Sequence, residues 1–337
     1  VTLLQQLEIT KDIALHTLDN NKVSYLIQLC TTPFDPNFFE KLSDTLKVLV
    51  ICPILQTQVY DLTDLQQYYE ILVTIYSQAV KQFPRLKYVI AEQLLWRGKI
   101  DQIETLLVND DSSISLSLMG WLKFQQDDTN AAISHFEAAI KRLKKETRKR
   151  NIVRPDMGGI IYLIALLQRG DKKSYHQIGQ QIDLMLRATT THRFEGVARK
   201  LKDLTDLQQG EKQLKECFWL SRATSFSETP FHELFHHLIL LWATGKTKPS
   251  SKLKKYNQQA QQFGWSWYAW VSAGIVHSKN PQTIPEDFLD LSALFKPIEP
   301  WKVALKALRE VTNPANEQTD DNDAELRMVW GIYYRNQ

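Results

Sequence analysis

Apolar residues recur every three to four positions along most of this chain, which is the period of an α-helix that buries one face. The pattern is clearest in residues 116–143, where two such segments flank a polar break at residues 125–130. Helices joined by so short a break lie antiparallel. We predict that Gly120 and Ala132 face each other, because only small side chains let two helix backbones approach closely. Phe136 is expected to pack against the next pair of helices.

The hairpin resembles a tetratricopeptide repeat. The positions that carry the resemblance are Gly120, Ala132, Phe136 and Ala139. It departs from that family at Lys123, where a large apolar residue is usual, and at Lys144, where Pro is common. A similar pattern lies upstream (Ala91, Leu94, Gly98, Ile103, Leu107) and a weaker one downstream (Leu163, Leu166, Gly170, Tyr175, Gly179). Repetition of helix hairpins predicts an all-α fold, an α-solenoid of antiparallel hairpins.

Breaks in the pattern divide the chain into four parts. We predict irregular helices in residues 1–82, tetratricopeptide-like repeats in 83–190, further helical hairpins in 191–312, and an acidic linker with a last helical segment in 313–337.

Local signals predict where individual helices begin and end. Gly98 is expected to make a tight turn between two helices, because glycine tolerates the left-handed conformation. Pro53 is expected to stop a buried helix. Beyond residue 190, helices are predicted at about 193–209, 211–224, 230–244, 250–263 and 265–277.

Composition narrows the class of protein without naming a partner. The chain has 337 residues, 43% of them apolar, and a net charge of only +3. Its three cysteines are far apart, which is typical of reduced thiols and predicts a cytoplasmic protein. No apolar run reaches the ~18 residues that span a bilayer. We expect no cofactor.

Charge is clustered more than the small net charge suggests. The densest run contains Lys141, Arg142, Lys144, Lys145, Arg148, Lys149 and Arg150. A second group contains Arg187, Arg193, Arg199, Lys200 and Lys202, and a third contains Lys246, Lys248, Lys252, Lys254 and Lys255. Such runs could form a positive surface for a phosphate backbone, and the first is our predicted nucleic-acid-binding site. The alternative is a set of solvated helix faces, because surface lysine is common.

Two short motifs carry possible chemistry. His232, Glu233 and His236 satisfy H-E-x-x-H, which on a helix can bind zinc beside a general base. No third ligand follows at the expected spacing, and Thr229-Pro230 starts the helix just before the motif, so packed or solvated histidines are the alternative. Residues 243–247 read Ala-Thr-Gly-Lys-Thr, the tail of a phosphate-binding loop. The upstream glycine is absent, and a glycine-capped helix end is the alternative reading.

The last part of the chain resembles a second family. A Pro300-Trp301 helix start is followed by alanine and leucine, and residues 325–330 read Glu-Leu-Arg-Met-Val-Trp. This pair is similar to the segment that precedes the ATPase core of large bacterial SNF2-type helicase proteins. That resemblance implies a helical arm beside a motor, and the motor is then expected beyond Gln337.

Three functional hypotheses follow. The first is a non-enzymatic binding arm that presents a concave helical surface to a protein, or a basic surface to DNA, next to a SNF2-type motor. The second is a zinc peptidase that uses His232, Glu233 and His236. The third is a scaffold of the same fold that binds protein alone.

Overall fold

A computed structural model describes residues 40–57, 62–154, 156–187, 194–221, 229–245 and 247–277. Over these ranges the protein is all-helical, as predicted, with no strand. The helices are α1 (Asp44–Thr57), α2 (Leu62–Gln78), α3 (Leu86–Arg97), α4 (Ile100–Leu106), α5 (Ser113–Gln125), α6 (Thr129–Thr147), α7 (Met157–Arg169), α8 (Lys172–Leu186), α9 (Glu195–Gln208), α10 (Phe218–Ser221), α11 (Pro230–Thr244), α12 (Ser251–Gln262) and α13 (Ser266–His277), with a 3₁₀ turn at Leu214–Glu216.

The chain divides into two compact units, Val1–Gln93 and Leu94–Gln337. Among the described residues of the first unit, α1 packs against α2, and Val50, Ile51, Leu55 and Leu65 of these two helices are fully buried. The prediction that α1 stops at Pro53 is wrong, because the helix continues to Thr57. An internal proline costs a helix about 3 kcal/mol, and apolar burial on both sides of residue 53 offsets that cost.

In the second unit, α5 and α6 form the predicted hairpin. A Cβ atom placed on Gly120 would lie 3.0 Å from the ring of Phe136, so this ring fills the space that the glycine leaves. Ala132 is fully buried in the same hairpin. Helix α7 packs against both α5 and α6, α8 packs against α7, and α9 packs against α8.

Contacts between distant parts of the sequence also build this unit. Trp96, at the end of α3, lies with its ring centroid 4.2 Å from that of Phe231 in α11 and 5.2 Å from that of Trp267 in α13. It also meets Trp121 of α5 edge-on at 4.9 Å. A stack in which each hairpin touches only its neighbours does not make such contacts. We call Trp96, Trp121, Phe231, Trp265, Trp267 and Tyr268 the aromatic cluster.

Most of the predicted helix boundaries hold. Gly98 and Gly245 have φ values of 65° and 64°, so both make the left-handed turns expected of them. The helix predicted at 211–224 is wrong. A 3₁₀ turn and the four-residue α10 replace it, because the Asp203 carboxylate accepts hydrogen bonds from the backbone N–H groups of Trp219 and Leu220 and so caps a new helix there.

Some predictions lie outside the described residues, among them the acidic linker and the segments around Trp301 and Trp330. Of the helices in the described ranges, none has the length and apolar content to cross a membrane.

Candidate anion-binding surface on α6

Helix α6 carries the densest basic run to its C-terminal end. Asp128 caps its first turn by accepting a hydrogen bond from the Ala131 N–H at 2.9 Å. The helix ends at Arg148, whose φ of 57° is left-handed. Lys144 and Lys145 lie in the last turn, where the helix dipole favours positive charge. Lys149 and Arg150 follow the helix, so the run extends beyond it as predicted.

One of the seven predicted nucleic-acid-binding residues is neutralised within the described chain. Arg142 lies 3.3 Å from Glu146 and 3.5 Å from Asp111. A hydrogen bond from Ser113, together with Arg142, lowers the pKa of Glu146, so this carboxylate is charged at neutral pH. The other six are exposed and have no carboxylate within 4 Å among the described residues. We call them the unpaired basic segment: Lys141, Lys144, Lys145, Arg148, Lys149 and Arg150.

A cleft of about 240 Å³ opens beside this segment, between α6, α7 and α8. Its lining is Glu137, Ile140, Lys141, Lys144, Tyr162, Gln177, Gln180 and Gln181. The two lysines are four and seven positions after Glu137, so they share one face of α6 with it. Amide side chains of α8 form the opposite wall. Part of the predicted basic run therefore lines this cleft.

Tyr162 contributes the least exposed polar group of the cleft. Its side chain is 4% exposed, and its ring centroid lies 5.5 Å from that of Phe136. No hydrogen bond joins its hydroxyl to another described residue, and the oxygen is not among the fully buried polar atoms. Burial, reinforced by the Glu137 carboxylate, raises the pKa of Tyr162, so the hydroxyl stays protonated and can donate. We missed Tyr162 in the sequence, although it is the one hydroxyl within the apolar run of α7.

Glu137 is the one acidic group in the lining, and it already has a partner. Its carboxylate accepts a hydrogen bond from the Gln177 side-chain amide at 2.9 Å. Arg169 donates in turn to the Gln177 side-chain oxygen at 3.3 Å. This chain of donors partly offsets the negative charge of Glu137.

The second basic group differs from the first because acidic side chains neutralise it. Arg199 pairs with Glu195 at 2.7 Å, and Arg187 and Lys202 lie 3.7 Å from carboxylates one helical turn away. Lys200 is buried and donates to the Trp219 backbone oxygen at 2.6 Å. Arg193 lies outside the described residues. In the third group, Lys248, Lys252, Lys254 and Lys255 are exposed, and Lys246 lies outside the described residues.

The H-E-x-x-H motif occupies the first turn of α11, as expected from Thr229-Pro230. His232 Nδ1 lies 2.6 Å from the Thr229 hydroxyl. Glu233 accepts a hydrogen bond from the Ser250 hydroxyl at 2.8 Å, and Ser250 caps α12. Burial lowers the pKa of His236 to about 4, so this imidazole is neutral at pH 7. Glu233 therefore connects α11 to α12, and no group of three potential metal ligands occurs among the described residues.

The Ala-Thr-Gly-Lys-Thr string ends α11 with a left-handed Gly245, as in the capped-helix alternative. Its Thr247 side chain is buried and lies 3.0 Å from His237 Nδ1. The hydroxyl of Thr247 therefore serves the packing between α11 and the chain that follows it.

The described residues define an all-helical protein with an exposed basic segment beside a polar cleft. Comparison of the chain with protein-family models, with curated proteins and with solved structures finds no match.

Proposed function

We propose that this chain is a non-enzymatic helical binding arm whose unpaired basic segment contacts the phosphate backbone of DNA. The observation that carries the proposal is that six clustered cations have no carboxylate partner in the part of the chain that the structure describes. A cation without an internal partner keeps its full attraction for phosphate, and each phosphate contact releases a condensed counterion. Six such contacts would give a slope of log Kd against log salt of about five.

The arrangement of helices supports a repeat-like arm in part of the chain. The hairpins α5–α6 and α7–α8 follow each other, and α7 packs on both helices of the preceding hairpin. This is the contact pattern expected of two successive tetratricopeptide-like units. In this proposal the stack covers α5 to α8, and the aromatic cluster adds contacts beyond it.

The wider context in the proposal is an accessory arm of a bacterial SNF2-type DNA-dependent ATPase. This step rests on residues 299–308 and 325–330, whose sequence resembles the segment ahead of such a motor. An arm that binds DNA without sequence preference suits a motor that acts on many DNA sites, because phosphate contacts carry no sequence information.

A charge-reversal experiment tests the proposal. In one variant Lys144, Lys145, Arg148 and Lys149 are changed to Glu, and binding to a labelled duplex is measured by fluorescence anisotropy across a salt series. We expect a loss of affinity of at least about 100-fold and a salt slope lower by about 3.6.

The matched control changes Lys172, Lys173, Lys252 and Lys254 to Glu. These residues are exposed on α8 and α12, and the substitution alters the net charge equally. We expect a loss of only a few-fold, because distant charges are screened. Equal losses in the two variants would contradict a role for α6 in particular.

The two alternatives give different outcomes in simple assays. A scaffold that binds protein alone shows no duplex binding in the wild type at low salt. A zinc peptidase at His232 and His236 retains about one zinc per chain on elemental analysis, and changing either histidine to Ala removes it.

A further inference from the structure

We propose that the cleft between α6, α7 and α8 seats one phosphate group of the bound nucleic acid, with Tyr162 as a neutral donor and Lys141 and Lys144 as flanking cations. The inference rests on the function proposed above and names a site within it. The three residues come from two helices and line the same cleft.

The donor set fits an anion. Tyr162 offers a protonated hydroxyl with no hydrogen bond to another described residue, and both lysines lack carboxylate partners there. Gln177, Gln180 and Gln181 add amide groups along the opposite wall. Hydrogen bonds to a charged acceptor such as a phosphate oxygen are the stronger ones. The side-chain nitrogens of Gln177 and Gln180 lie 2.9 Å from Glu137 and from His176, so each of these amides has one hydrogen left to donate.

The size of the cleft favours one group of a polymer over a free metabolite. Its volume of about 240 Å³ is below the ~300–1,000 Å³ of typical small-molecule sites. The cleft also lies at the same end of α6 as the rest of the unpaired basic segment, since Lys144 is in the last turn of the helix. A phosphate in the cleft can therefore belong to a backbone whose neighbouring phosphates meet the end of α6.

A variant of Tyr162 distinguishes a specific phosphate site from general attraction between opposite charges, because its hydroxyl is neutral. Tyr162→Phe keeps the ring that packs on Phe136 and removes the hydroxyl alone. We expect duplex binding to weaken about tenfold, the effect of one hydrogen bond to a charged group. The salt slope should not change, because a neutral donor releases no counterion. Thermal melting of the variant checks that the fold is intact.

Two double variants provide the matched comparison. Lys141→Gln with Lys144→Gln removes the cations of the cleft, and Lys145→Gln with Lys149→Gln removes two outside it. Each pair should lower the salt slope by about 1.8. The effect of Tyr162→Phe should shrink in the first background and persist in the second, because partners of one phosphate are coupled and distant groups are additive.

Glu137→Gln gives a test of opposite sign. Removing this carboxylate relieves its repulsion of a bound phosphate, so we expect affinity for the duplex to rise a few-fold. A purely structural role for Glu137, through its bond to Gln177, would instead weaken binding.

The outcomes separate the two proposals. If the wild type does not bind the duplex, the proposed function and this inference both fail. If Lys145→Gln with Lys149→Gln weakens binding while Tyr162→Phe leaves it unchanged, the inference alone is wrong. Inorganic phosphate that raises the melting temperature of the wild type but not of Tyr162→Phe, without any effect of that variant on duplex binding, would show a free-anion site. A polyglutamate peptide bound as tightly as the duplex would show a site for acidic protein segments.

Discussion

Helices α6 and α9 each contain a cluster of basic residues, and the two clusters use their charges in different ways. On α6 and in the three residues that follow it, six cations are exposed without carboxylate partners in the described chain. On α9, Arg199 and Lys202 pair with acidic side chains, and Lys200 is buried. The lesson is that a count of lysines and arginines does not predict a positive surface. Whether a carboxylate lies within ion-pair distance decides how much charge remains, and the i,i+4 spacing alone does not, since Glu137 bonds to Gln177 and leaves Lys141 unpaired within the described chain.

The α9 region uses its charges to hold the fold together. Asp203 is nearly buried, caps α10 and lies 3.3 Å from Lys212. Lys212 also pairs with Asp206 at 2.6 Å. We therefore expect substitutions near α9 to change stability, and substitutions at the end of α6 to change binding. Three measurements test this difference between the two regions.

The largest expected effect is a pH dependence of stability from Lys200. Burial, opposed by Asp203, lowers the pKa of Lys200 to about 8, whereas an unfolded lysine has a pKa near 10.4. Between these values the unfolded chain binds a proton that the folded chain lacks, so the free energy of unfolding rises with pH. The rise can reach about 3 kcal/mol. Lys200→Met should lack it in urea titrations from pH 7.5 to pH 10.5, and Lys144→Met should keep it. Identical curves for the wild type and Lys200→Met would contradict the assignment.

Asp203→Asn should lower the free energy of unfolding by about 2 kcal/mol, because the amide keeps one acceptor but loses the charge that pairs with Lys212. Urea denaturation at pH 7 measures it. The control is Asp183→Asn, which breaks the exposed pair with Arg187 and should cost no more than about 0.5 kcal/mol. If both variants lose the same free energy of unfolding, then the buried Asp203 contributes no more to stability than the exposed Asp183.

The smallest effect is expected from Glu195→Gln, which frees Arg199 from its pair. Stability should fall by about 0.3–0.5 kcal/mol, the range for pairs of this spacing. Arg199 then loses the carboxylate with which it pairs within 4 Å in the described chain, so affinity for the duplex should rise by about twofold at low salt. The same anisotropy measurement on Asp183→Gln, which frees Arg187 from its pair, checks whether the gain in affinity is general. Weaker duplex binding by Glu195→Gln would mean that the ion pair with Glu195 is not what keeps Arg199 from attracting DNA.

The sequence was sufficient for local structure wherever a cap residue marked a boundary. Thr229-Pro230 and Gly245 bracket α11 as predicted, and Gly98 separates α3 from α4. The prediction failed where a distant side chain intervened. Asp203 starts α10 from another helix, and no signal within residues 211–224 reveals it. Similarly, burial of apolar residues on both sides of Pro53 lets α1 continue to Thr57.

The candidate site was predictable in part. The cations of α6 are visible in the sequence, and so is the i, i+4 spacing of Glu195 and Arg199 that neutralises the second group. The cleft was not predictable, because it depends on how α7 and α8 pack against α6. Nothing within α7 shows that the Tyr162 hydroxyl opens toward lysines on another helix.

The aromatic cluster sets a limit on how this protein can be shortened. Trp96 precedes the hairpins, and three of its ring partners, Trp265, Trp267 and Tyr268, lie at the start of α13 or just before it. A truncated chain that ends after α8 would expose the indole faces of Trp96 and Trp121 to water, although both hairpins remain intact. We therefore expect fragments cut between hairpins to aggregate, or to unfold at a lower temperature than the whole chain.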